Sequence, residues 1–111
     1  MTICALSSAS GPSGVAVIRI SGPETKNLLK MLIKKELPAP RMASLLELYN
    51  INTSSLIDEA IVLWFPGPKS YTGEDMVELH VHGSRGVISS LQNTILNTNK
   101  CRMAEPGEFT K

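Results

Sequence analysis

Between Met76 and His82 apolar and polar residues alternate with a period of two, and no other segment limits the possible folds so tightly. In a pleated strand this spacing sends Val77, Leu79 and Val81 to one face and Met76, Glu78, His80 and His82 to the other. The first set predicts a core face. The second places a carboxylate between a methionine and two imidazoles, with same-side neighbours roughly 7 Å apart at the usual rise per residue. The strand is the second arm of a strand-turn-strand unit from Trp64 to Gly83, which holds both histidines of the chain. A helix from Ser84 to Asn97 is expected to follow, with Gly83 allowing a sharp turn. The free N–H groups at its start favour anions.

His-x-His on one strand face is a metal-ligand spacing, because both rings project to the same side. It is more commonly the pattern of a solvated strand face or a subunit contact. No cysteine lies nearby, so a third ligand would come from Glu78, Asp75, Glu74 or a distant loop. Glu78 is the more informative residue, since a carboxylate on a face shared with two histidines calls for a partner. Arg19 raises a similar question. In Val15 to Ile20, Ala16, Ile18 and Ile20 point one way and Val15, Val17 and Arg19 the other, which sets an arginine on an otherwise apolar face. Arginine is rarely buried without a partner, unless it sits at the exposed end of its strand and reaches out to solvent.

Composition narrows the classes. At 111 residues the chain makes one domain, able to bury roughly 60–70% of its surface. A net charge of +1 gives no electrostatic case for nucleic-acid binding by this domain alone. The basic cluster Lys30, Lys34, Lys35 and Arg41 reads as a solvated helix end that complements the helix dipole. Cys4 and Cys101 lack metal-finger or Cys-x-x-Cys spacing, and suggest inert thiols in a reducing compartment, with a disulfide between them left open. There is no apolar run of 18 residues, no signal peptide and no Arg-rich presequence, so no membrane association is expected. No Gly-Lys pair occurs anywhere, which excludes a P-loop from these residues. The Gly11–Gly14 and Gly83–Gly86 loops lack the dinucleotide spacing.

Further elements follow from pattern. Ile3–Leu6 is a short strand ahead of the small-residue loop Ser7–Gly14. Pro23 and Glu24 open a helix with a Leu28, Leu29, Leu32 and Ile33 stripe, which Pro38 and Pro40 stop. Leu45–Tyr49 and Ala60–Phe65 are expected strands around a turn-rich segment. Val87, Ile88, Leu91, Ile95 and Leu96 give the second helix its apolar side, and a last strand is expected near Cys101–Ala104. The fold class is therefore α+β, a mixed sheet with two main helices.

Several motifs, taken in order, resemble one family. Gly14-Val15-Ala16-Val17-Ile18-Arg19-Ile20-Ser21-Gly22, Leu63-Trp64-Phe65-Pro66-Gly67-Pro68, Ser70-Tyr71-Thr72-Gly73-Glu74-Asp75, His82-Gly83 and Ala104-Glu105-Pro106-Gly107-Glu108-Phe109 are similar to the N-terminal domain of the MnmE/TrmE-type tRNA-modification GTPases. The resemblance covers residues 1–111. It implies a fold like the tetrahydrofolate-binding domain of the glycine-cleavage T-protein, a domain that also forms the family's homodimer. The cofactor implied is 5-formyl- or 5,10-methylenetetrahydrofolate. In the family's motif the arginine of Ile-Arg-Ile-Ser and the acid of Val-Glu-Leu contact folate, which carries over to Arg19 and Glu78. A further lysine contact falls beyond Lys111.

The resemblance also implies a larger assembly. A helical domain and an inserted GTPase domain, which would hold GTP, potassium and magnesium, follow in the complete proteins. With an MnmG/GidA-type flavoprotein they modify carbon 5 of the wobble uridine in tRNA, the folate supplying the one-carbon unit. The parts that hydrolyse GTP are absent here, so the chain is expected to be a fragment or truncated product, non-catalytic alone. Where the family often has His-Gly-Gly, this chain has His82-Gly83-Ser84, a better-capped helix start. The wording at Ala5-Leu6-Ser7-Ser8 and Leu79-His80-Val81-His82-Gly83 points to a mitochondrial member, with a bacterial cytoplasmic one as the alternative. Two other functions stand beside folate binding: a structural dimerisation domain without ligand, and a small metal-dependent hydrolase using His80 and His82.

Overall fold

The computed structural model describes residues 1–9 and 14–110. Six strands form one sheet: β1 (Thr2–Ala9), β2 (Val15–Ser21), β3 (Ser44–Tyr49), β4 (Leu56–Phe65), β5 (Met76–His82) and β6 (Cys101–Met103). Helix α1 (Thr25–Ile33) follows β2, and α2 (Arg85–Leu96) links β5 to β6. The spatial order is β3-β4-β5-β2-β1-β6. All neighbours run antiparallel except β1 and β6, which are parallel. The α+β expectation therefore holds.

Burial follows the alternation read from the sequence. Ala16, Ile18, Ile20, Val62, Trp64, Val77, Leu79 and Val81 are buried in one cluster with Leu28, Leu29, Leu32 and Ile33 of α1 and Leu91 and Ile95 of α2. Both helices thus cover the same sheet face. This burial is the main stabilising term, at about 1.5–3 kcal/mol for each large apolar side chain removed from water. The opposite face, carrying Val17, Arg19, Leu63, Glu78 and His80, is only half-covered. Met76 departs from the polar reading of its face: it is buried, opposite Phe65 and Ser21 at the end of the ladder.

Strand β4 begins four residues before the expected Ala60, because Leu48 and Tyr49 of β3 extend the pairing to Asp58 and Leu56. β1 likewise runs past Leu6 to Ala9 through a register shift between Leu6 and Ser8. The rest of the loop expected up to Gly14, residues 10–13, lies outside the described residues, as does Lys111. Gly83 is needed for a different reason from the expected turn. A Cβ there would stand 2.6 Å from the carbonyl oxygen of Gly14, whose oxygen already accepts the Gly83 N–H at 2.9 Å. Gly22 has φ +135°, and a Cβ would meet the Thr2 backbone at 2.5 Å. The two cysteines are free and buried. No helix among the described residues is long and apolar enough to cross a membrane.

Candidate functional site

The antiparallel register of β2 and β5 sets Arg19 directly opposite Glu78 on the half-covered face. Directly opposed side chains on one face are close enough to bond. Arg19 Nε donates to Glu78 Oε2 at 2.8 Å, and His80 Nε2 donates to Glu78 Oε1 at 3.0 Å. The Glu78 side chain retains 15% of its exposure, against 33% for Arg19 and 30% for His80. Burial raises the cost of its charge, but the hydrogen bonds from His80 and Arg19, with the charge of the guanidinium, outweigh that and hold the carboxyl below the usual glutamate range. Each carboxylate oxygen keeps a second lone pair for a further donor.

The segment between β4 and β5 builds one side of this region. The Arg19 guanidinium lies over the Tyr71 ring, 5.9 Å from its centroid, a cation–π distance. The Ser21 and Thr72 hydroxyls are 2.7 Å apart. Asp75 Oδ1 accepts the Gly67 N–H at 2.9 Å, and the Asp75 carbonyl accepts the Gly22 N–H at 3.0 Å. The turn is thereby tied to the end of β2, which fixes Tyr71 beside Arg19.

Among the described residues, two clefts open on this face. One, of about 480 Å³, runs from Ala5, Leu6 and Arg19 to the segment Glu105–Phe109. A smaller one, of about 120 Å³, lies between Ser21, Thr72, Glu74 and Phe109. A third hollow, of about 360 Å³, lies along Val15, Leu45, Ile61 and His80. Arg19 lines the 480 Å³ cleft itself, while Glu78 stands beside it through the ion pair.

The sequence-predicted residues thus divide. Arg19 and Glu78 come together, with His80 attached. His82 does not join them: its ring Nδ1 donates to Asp58 Oδ1 at 2.8 Å and its backbone N–H to Asp58 Oδ2 at 2.9 Å. The two histidines therefore serve different carboxylates, and the geometry gives no support to a shared metal. Among the described residues no group of three or more His, Cys, Asp or Glu side chains is arranged to hold a metal ion. At the start of α2, Ser84 caps the helix by accepting the Val87 N–H at 3.2 Å. Tyr71, Asp58 and the Arg102–Glu108 pair were not singled out from sequence as functional. Tyr71 and Glu108 lie within the quoted motifs, whereas Asp58 and Arg102 carry no local signal.

Comparison with known proteins adds an independent line. Residues 2–111 match the family model described as GTP-binding protein TrmE N-terminus. The chain is 56% identical over its whole length to the tRNA modification GTPase MnmE of Pelagibacter ubique, of which it spans 25%. It is 50% identical to the protein of the same name from a Bradyrhizobium species, over 99% of this chain and 24% of that one. It is 46% identical to the zebrafish mitochondrial 5-taurinomethyluridine-tRNA synthase subunit GTPB3, over 99% of this chain and 22% of that protein. The chain spans about a quarter of the length of these relatives.

Proposed function

The chain belongs to the TrmE N-terminal family, the N-terminal part of the tRNA-modification GTPases, and from that premise we propose that it binds a reduced folate on its half-covered sheet face and pairs with a second copy of itself. The observation that carries the folate reading is the Arg19–Glu78 pair at the lip of the 480 Å³ cleft. A pterin ring offers an exocyclic amino group and a neighbouring ring N–H side by side, and one carboxylate can accept both. Glu78 is already ionised and oriented by Arg19 and His80, so it meets these donors without reorganising. Arg19 donates to Glu78 through Nε alone among the described residues, which leaves both terminal nitrogens for a carbonyl or carboxylate of the same ligand. The six-stranded α+β sheet is compatible with the tetrahydrofolate-binding fold of the glycine-cleavage T-protein.

Dimer formation is supported by the apolar part of the same sheet. Val15 is 54%, Leu45 60% and Ile61 37% exposed around one hollow, an arrangement that favours contact with another apolar surface. In the complete protein the folate would supply the one-carbon unit for carbon 5 of the wobble uridine in tRNA. Helical and GTPase domains and an MnmG/GidA-type flavoprotein would complete the reaction. GTP, potassium and magnesium belong to the GTPase domain in this reading. On location, the mitochondrial expectation has a counterpart in the zebrafish protein and the bacterial cytoplasmic alternative in the Pelagibacter one.

Titration calorimetry with 5-formyltetrahydrofolate tests the proposal. Saturable binding, lost on replacing Glu78, is the expected result. No binding by the unaltered protein would leave the structural dimerisation domain as the better reading.

A further inference from the structure

The large cleft has one wall that the chain must fold back to make. In the β1–β6 register Arg102 pairs with Ile3, and in the β1–β2 register Ile3 pairs with Ser21 and Ala5 with Arg19. Alternation therefore places Arg102 on the same sheet face as Arg19, two strands away. From there its guanidinium meets Glu108 as a fork: Nη1 donates to Oε1 at 2.8 Å and Nη2 to Oε2 at 2.7 Å. Nη1 also donates to the Met103 carbonyl at 3.0 Å, which fixes the guanidinium against β6.

Glu108 is held from its own loop as well. Its Oε1 accepts the Glu105 N–H at 2.5 Å, and its N–H donates to the Glu105 carbonyl at 3.0 Å, closing a tight turn over Pro106 and Gly107. The preceding residue is tied to the sheet, with Ala104 N–H donating to the Cys4 carbonyl at 2.8 Å. Phe109 follows directly, is half-buried, and lines both the 480 Å³ cleft with Arg19 and the 120 Å³ cleft with Ser21 and Thr72.

We propose that Arg102 and Glu108 are positioning residues of the binding cleft: their fork docks the Glu105–Phe109 turn onto the open sheet face and so sets the Phe109 wall against Arg19. The inference rests on the folate reading of that cleft. Planar bidentate geometry gives the pair its orientating power, which a lysine cannot reproduce. The two side chains remain partly solvated, at 41% and 26% exposure, so the pair biases the turn toward the docked arrangement and does not hold the domain together.

The test combines hydrogen–deuterium exchange over residues 104–109 with calorimetric titration of 5-formyltetrahydrofolate, on the unaltered protein, Arg102→Ala and Arg102→Lys. Arg102→Ala is expected to speed exchange in that segment alone and to weaken folate binding about 5-fold, because only the docked fraction binds. Arg102→Lys, with the charge but not the fork, falls between. Unchanged exchange in Arg102→Ala would overturn the docking role, and faster exchange with unchanged affinity would overturn the positioning of the cleft. Failure of the folate reading is seen separately, as absence of binding by the unaltered protein, and it overturns the positioning role with it. If Arg102→Ala does not fold, the Arg102→Lys comparison decides by the same two readings.

Discussion

Replacing Glu78 by alanine removes the acceptor that Arg19 and His80 share and should separate folding from binding by its two magnitudes. For folding, a hydrogen bond to a charged group contributes about 1.5–3 kcal/mol when well buried, and an exposed ion pair about 0–1 kcal/mol. The Glu78 side chain is 15% exposed and its arginine partner 33%, which puts the pair between those limits. A loss of about 1–2 kcal/mol follows, or a drop in Tm of about 5–10 °C for a domain of this size. Binding has more to lose. If Glu78 accepts two pterin donors, the alanine leaves both unpaired in a desolvated cleft, a loss of roughly 10- to 1,000-fold in affinity after allowing for imperfect additivity. Glu78→Gln should lie between, since the amide keeps one acceptor oxygen without the charge. The assay is calorimetry with 5-formyltetrahydrofolate at a temperature where thermal denaturation shows each variant folded. Unchanged affinity in Glu78→Ala, with Arg19→Ala equally silent, would refute the assignment of the ligand to these two residues.

Other outcomes can be checked with simpler measurements. The chain, lacking a Gly-Lys-Ser/Thr phosphate cradle, should show neither GTP binding in equilibrium dialysis nor phosphate release above blank. Light scattering should report a concentration-dependent dimer that Ile61→Asp weakens, since a charge would enter the apolar hollow; a strictly monomeric unaltered protein would count against pairing through this face. Because the folded-state pKa of Glu78 lies below its ordinary value, its contribution to stability is complete above about pH 4.3 and fades as pH falls through the lowered value. Acid titration of stability should therefore be shallower in Glu78→Gln, and identical curves would show that the pair has no net effect. Leu79→Ala, which opens a cavity at a fully buried position, should cost about 2–5 kcal/mol in denaturant unfolding.

Period-two alternation was enough to assign β2 and β5 and, Met76 excepted, to say which of their apolar side chains face the core. It works because apolar burial is non-directional and depends only on which side of the pleat a residue occupies. The helix stripes, from Leu28 to Ile33 and from Leu91 to Ile95, were legible for the same reason, and the ordered motifs carried the family. Register was not legible. Nothing local to Arg19 or Glu78 says that they stand opposite each other, because that pairing is fixed by the whole β2–β5 ladder and by the turn that ties Gly67 to Asp75 and Asp75 to Gly22. The same holds for His80 and His82. They look equivalent on one strand, yet one meets Glu78 and the other Asp58, since strand β4 begins early enough to bring Asp58 beside the end of β5. The glycine at position 83 gives the smallest case: the sequence suggested a sharp turn, whereas the requirement is the Gly14 carbonyl oxygen 2.6 Å from where a Cβ would be. Hydrogen bonds and close contacts are directional and short-ranged, so the partners of each polar side chain are decided only when distant strands are brought into register.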